Sequence, residues 1–148
     1  TAFPNSAKAE LPRALHNYTA ATGHDFRAAL IKPSSAGTYG AGSTNYSDIT
    51  GNSDEVSGPG YTAGGFDFAA SNNITPALHG TEAGWSWSVN PSWIGATLNA
   101  AGVMIYNASS GNRAVYLGSF GGTVSVVAGT LTLLSPANGA GTSILGLT

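Results

Sequence analysis

The stretch GVMIYNASSGNRAVYLGSF, residues 102–120, decides how this chain folds. Two apolar runs, GVMIYN and RAVYLGSF, flank Asn107 to Asn112, NASSGN. The runs are rich in the β-branched and aromatic residues that suit a pleated surface, and the segment between them holds the small polar residues and glycine of a turn. Together they predict two strands joined by a hairpin loop. The same grammar continues in both directions. Downstream, TVSVVAGTLTLL (123–134) reads as two further strands around Ala128-Gly129, and the tail ends in a short strand at 144–147. Upstream, GWSWSVN (84–90) alternates, with Trp85, Trp87 and Val89 on one face and Ser86 and Ser88 on the other. SWIGATLN (92–99) puts Trp93 out of phase with Ile94, Ala96 and Leu98.

Further upstream, NITPALHG (73–80) is interrupted by Pro76, which demotes it to an edge or irregular strand, because proline cannot donate to a ladder. FDFAAS (66–71) and FRAALIK (26–32, stopped by Pro33) complete the strand-like segments. Between the last two lies a long polar segment, 34–60, with Tyr39, Tyr46 and Ile49 as its anchors. AKAELPRALHNY (7–18) is the best helical stretch, but Pro12 limits it to a short helix or an extended arm. Eight or nine short strands with almost no helix predict an all-β fold, a jelly-roll-like β-sandwich or barrel. We expect an N-terminal arm over 1–24 and a single β-sandwich domain over 25–148.

Composition narrows the function. The 148 residues are 42% apolar, enough for a hydrophobic core, yet only 8% charged against about 25% in an ordinary soluble domain. So little charge predicts a surface that is largely covered in an assembly. Net charge is −2 and the cations Lys8, Arg13, Arg27, Lys32 and Arg113 are scattered, so nucleic acid is not expected as a partner. There is no cysteine, hence no disulfide and no thiolate chemistry. No apolar run approaches the roughly 20 residues of a membrane span. The start, TAFPNSAKAE, lacks the basic and apolar regions of a signal peptide.

One motif argues for an enzyme and has to be answered. Gly58-Pro-Gly60-Tyr-Thr-Ala63 is a permitted form of the dinucleotide fingerprint. That fingerprint works only between a buried strand and the N-terminus of a helix, which holds the pyrophosphate. Here the preceding residues, NSDEV, are polar, and Gly64 and Gly65 would each cost a following helix about 1 kcal/mol. We therefore read these glycines as turn formers that permit positive φ between two strands.

Other chemistry is equally thin. His16, His24 and His79 have no metal-ligand spacing and read as isolated surface histidines. No nucleophile elbow accompanies the many serines. Asp54 and Glu55 are adjacent, so on a strand they face opposite ways and cannot act as a catalytic pair. A calcium loop at Asp48–Asp54 lacks the EF-hand spacing. The sequence thus points to no catalytic residue, no cofactor, no metal and no small-molecule substrate. Trp85, Trp87 and Trp93 read first as core, and together with Arg113 they are the residues available for a protein interface or for stacking a sugar.

Several segments carry a resemblance. FRAALIKPS (26–34), YSDITGNSDEVSGPGYTAGG (46–65), AAGVMIYNASSGNRAVYLGSFGG (100–122) and TLTLLSPANGAGTSILGL (130–147) together resemble a family of small structural proteins of tailed-phage virions. The shared order is a Phe-x-Ala-x-Leu strand, a Glu-Val-x-Gly-x-Gly-Tyr-x-x-Gly-Gly loop, an Ile-Tyr-Asn strand and a Phe-Gly-Gly turn. Asp54 stands where the family motif has Asn, and the arm matches poorly. Within that family the chain most resembles capsid cement (decoration) proteins. The resemblance implies a non-enzymatic jelly roll on the outer surface of an icosahedral head, made in the host cytoplasm. It also implies major capsid protein as partner and self-association into dimers or higher oligomers, with the arm and loops burying area in trans.

Overall fold

The computed structural model describes every residue except 1, 20–21, 69–73, 80–81, 88, 136–144 and 148, and only the backbone of 74–79, 82–86 and 145–147. In chain order the elements are α1 (Asn5–Glu10), β1 (Phe26–Ile31), α2 (Ser47–Gly51), β2 (Phe66–Asp67), β3 (Ile74–His79), β4 (Glu82–Trp87), β5 (Ser92–Asn107), a 3-10 turn (Ala108–Ser110), β6 (Arg113–Thr132) and β7 (Leu145–Leu147). The chain is mostly β, as composition and spacing predict. Its main sheet is antiparallel with strand order β2-β1-β5-β6, and a three-stranded antiparallel sheet has the order β3-β4-β7. β3, which holds Pro76, lies at a sheet edge, the position where a strand tolerates proline best.

The hairpin read from residues 102–120 is present. The Asn107 side chain accepts a hydrogen bond from the Ser110 amide (3.1 Å), and Gly111 and Asn112 take the positive φ that reverses the chain. Three expected strand breaks are not. SWIGATLN and GVMIYN run on as β5, and RAVYLGSF and both strands read in TVSVVAGTLTLL, on either side of Ala128-Gly129, run on as β6, so the described residues hold seven strands rather than eight or nine.

Bulges explain the difference, because an extra residue changes a strand's phase without ending it. At Ile94-Gly95 two residues of β5 face one of β6, and Gly95 takes a φ of 64°. That shift brings Trp93 onto the same buried face as Ala96, Leu98 and Ala100, and leaves Ile94 exposed. The strict alternation that placed Trp93 out of phase is thereby corrected. The Phe-Gly-Gly turn is also corrected: residues 120–123 form a wide bulge opposite Ala101, with Gly121 at a φ of 77°, and β6 continues beyond it.

The base of the sheet is covered on both faces. One face carries Phe26, Ala28, Leu30, Val103, Ile105 and Val115, with Val56, Phe68, Trp87 and Trp93 packed over them. The other carries Ala29, Ile31, Met104, Tyr106, Ala114 and Leu117 beneath Ile49 of α2, Tyr39 and Tyr46. Strands buried on two sides read as continuous apolar runs, which is why FRAALI and VMIY show no alternation. The anchors expected in the polar segment are these same Tyr39, Tyr46 and Ile49.

Described residues of the N-terminal segment pack against the main sheet. Ala2 exchanges both backbone hydrogen bonds with Leu117 of β6 (2.7 and 2.9 Å). α1 is only six residues long and ends before Pro12, whose ring and missing N–H are incompatible with another helical turn.

Candidate functional site

Charge is distributed very unevenly. From Ala83 to the C-terminus the only charged residue is Arg113. The far half of the β5–β6 hairpin, 92–100 with 118–132, is therefore an uncharged ribbon. Its outer face displays Thr97, Asn99, Thr123, Ser125 and Thr130 together with two isolated apolar side chains, Ile94 (78% exposed) and Val127 (81%). β6 is an edge of the main sheet. Its first residues are covered by Ala2 at Leu117, and by Thr44 and Asn45 beside Ala114 and Arg113. Beyond Leu117 no described backbone pairs with the outer edge of β6. Edges are commonly guarded by lysine, proline or an inward charge, and this one has none.

The inner face of the ribbon is apolar. Trp93, Phe120, Val124, Leu131, Thr132 and Leu133 line a groove of about 340 Å³. Trp93, which lines it, is 5% exposed and so offers little ring surface for stacking. Trp87 is 4% exposed and in ring contact with Phe68 at 5.9 Å. Two of the tryptophans considered for sugar stacking are thus core residues, and the side chain of Trp85 lies outside the described residues. The fourth, Arg113, is half exposed, but its guanidinium donates to Glu10 (2.7 Å) and fastens the arm.

The glycine-rich loop 57–65 lies against the sheet and leads into β2, not into a helix. A methyl group on Gly60 would stand 2.7 Å from Ala96 Cα of β5, and one on Gly65 would stand 2.7 Å from Ala29 Cα of β1. These glycines provide close approach and positive φ, as the sequence implies.

The adjacent carboxylates serve this packing and face different partners. Glu55 accepts from the hydroxyls of Tyr46 (2.6 Å) and Tyr61 (2.8 Å) and from the Gly64 amide (2.7 Å). Asp54, fully buried, accepts from Tyr39 (2.6 Å) and from the Gly37 and Ala36 amides, and pairs with Lys32 (3.2 Å). Asp48 accepts from the Thr44 and Asn45 amides. These contacts tie the loops together. Among the described residues no three histidines, aspartates or glutamates are arranged to hold a metal.

Burial disfavours charge on Asp54, but the Tyr39 hydroxyl, the two amides and Lys32 outweigh it and hold the carboxyl well below the usual carboxylate range. The folded state therefore binds fewer protons than the unfolded one. The stability from Asp54 is complete above about pH 4 and drains away as pH falls below that toward the folded value. Asp54→Asn is expected to melt lower by on the order of 10 °C at neutral pH and to lose the part of the acid destabilisation that Asp54 contributes below about pH 4. Thermal melts between about pH 7 and pH 3 check this; parallel curves for the two proteins would refute it.

The histidines depart most from expectation. His16 is buried, and it and His24 converge on Asn107. No signal in the sequence announces this, because the partners are brought together only by folding. His79 lies in β3 opposite Glu82 of β4, and its side chain is outside the described residues. Comparison of the chain with protein-family models, with curated proteins and with solved structures finds no match.

Proposed function

We propose that this chain is a structural protein of a phage virion. It is a jelly-roll-like β-sandwich that decorates the outer surface of an icosahedral head, cements neighbouring major capsid protein subunits and self-associates. The observation that carries this reading is the uncharged, edge-exposed β5–β6 ribbon. A surface without charge can meet another copy of itself without like-charge repulsion, and its open backbone groups can extend a neighbour's sheet. Repetition over a lattice turns many weak contacts into firm attachment. Because the arm is docked in cis, contacts in trans fall to the ribbon and to the loops.

The test combines location with a ribbon variant. Heads stripped of this protein are expected to lose heat and osmotic resistance and to regain both when it is added back. Val127→Lys, on an exposed side chain, is expected to leave folding unchanged and to weaken self-association and rebinding by at least about tenfold. Stripped heads as robust as intact ones would end the cement reading. Glycan binding by the wild-type chain, lost in Trp85→Ala, would replace it with a carbohydrate-binding module. A few copies at the tail or a head fibre would make it a minor component.

A further inference from the structure

We propose that Asn107, His16 and His24 form an acid-sensitive latch that fastens the N-terminal arm to the β5–β6 turn. Asn107 is fully buried at the end of β5. Its Oδ1 accepts from the Ser110 amide, which turns the NH2 group toward the arm. That nitrogen lies 2.9 Å from His16 Nδ1 and 3.0 Å from His24 Nδ1. The amide has two protons and no lone pair to accept with, so each imidazole must present an unprotonated Nδ1. His16 then carries its proton on Nε2 and donates it to Glu10 (2.8 Å). Glu10 in turn accepts from Arg113 (2.7 Å). The chain Arg113–Glu10–His16–Asn107–His24 links β6, α1, the arm and β5.

Protonation of either Nδ1 sets an N–H against the amide N–H, two donors with no acceptor between them. For His16 this competes with the groups around it. Burial is the largest influence and disfavours the imidazolium, Glu10 favours it, and Arg113 and His24 oppose it. Tyr18, whose ring centroid is 6.0 Å away, adds an aromatic wall with no charge at these pH values. The balance keeps His16 below its ordinary value of 6.5. The docked arm therefore binds fewer protons than the free one. Docking is complete above that value and weakens as pH falls below it. What loosens is the described part of the arm, 11–19 and 22–25, which carries the hydrogen bonds Leu15 N–Glu10 O and His24 N–Asn17 O.

Amide exchange on the full chain, normalised to intrinsic rates, reads this directly. Protection at Leu15 and His24 is expected to fall at least about tenfold from about pH 7.5 to about pH 5, while Leu30 and Met104 in the core stay protected. Asn107→Asp replaces the donor with an acceptor, so its arm is expected to hold or tighten over the same range. Where that variant fails to keep core protection, the double variant His16→Gln, His24→Gln is used, and its arm protection is expected to be flat with pH. Flat protection in the wild type would overturn the latch. So would a wild-type-like fall in either variant.

Discussion

Gly65→Ala is expected to leave almost no folded protein. Gly65 has a φ of 79°, a conformation that costs any L-residue roughly 1–2 kcal/mol. The greater cost is steric. An added methyl group would collide with the Ala28 carbonyl and stand 2.7 Å from Ala29 Cα, both in β1. β1 cannot move aside, because Ala28 is paired with Phe66 on one edge and Ile105 on the other, and Ala28 and Ala29 are fully buried. The combined penalty exceeds about 4 kcal/mol, a large share of the roughly 5–15 kcal/mol that keeps an ordinary domain folded. Gly95→Ala is the control. Gly95 also has positive φ, 64°, but nothing lies within 4 Å of the new methyl, and a loss of about 1 kcal/mol is expected. Denaturant unfolding of both variants measures the contrast. Equal and mild effects would mean that the loop does not lie on β1.

Glu55→Ala is expected to cost about 3–5 kcal/mol, chiefly by releasing the loop 57–65. Three donors lose their acceptor together: the Tyr46 and Tyr61 hydroxyls and the Gly64 amide. The Tyr61 hydroxyl also accepts from the Leu30 amide, so its displacement reaches β1. Tyr46 stacks on Tyr106 with centroids 4.4 Å apart, and Tyr106 donates to the Gly64 carbonyl, so the same carboxylate steadies both faces of the sheet. Burial, and then the hydrogen bond to Glu55, push both the Tyr46 and Tyr61 hydroxyls well above the ordinary tyrosine value of 10. Besides the unfolding midpoint, a spectroscopic tyrosine titration is therefore expected to shift downward in the variant. A wild-type midpoint and titration would show that Glu55 is not the tie between these elements.

The glycine loop illustrates what could be read in advance. Its bend, its lack of a helix and its need for positive φ were legible from Gly58, Gly60, Gly64 and Gly65 and their polar flanks. Its purpose was not, since the loop is held through Tyr61 to Leu30 of β1, 31 residues away, and against the backbone of Ala28 and Ala29. The ribbon was half legible. Composition announced an underguarded β surface, but its location needed the topology that places β6 at an edge and covers only its first residues with Ala2, Thr44 and Asn45. Trp87 and Trp93 were assignable to the core, the more so for Trp93 once the Gly95 bulge is known.

By itself the sequence determined the β class, the hairpin at Asn107–Asn112, that the Pro76 strand is an edge or irregular one, and the exclusion of thiol chemistry. Each follows from local preferences acting within a few residues: turn propensity, β-branching, a missing N–H, an absent atom type. Only the tertiary structure decided that five expected strands form two continuous ones, which face Trp93 takes, and that His16 meets Asn107 and Arg113 meets Glu10 across 91 and 103 residues. Those outcomes are set by which distant surfaces bury together, and that energy belongs to pairs of segments, so it leaves no periodic trace in either one.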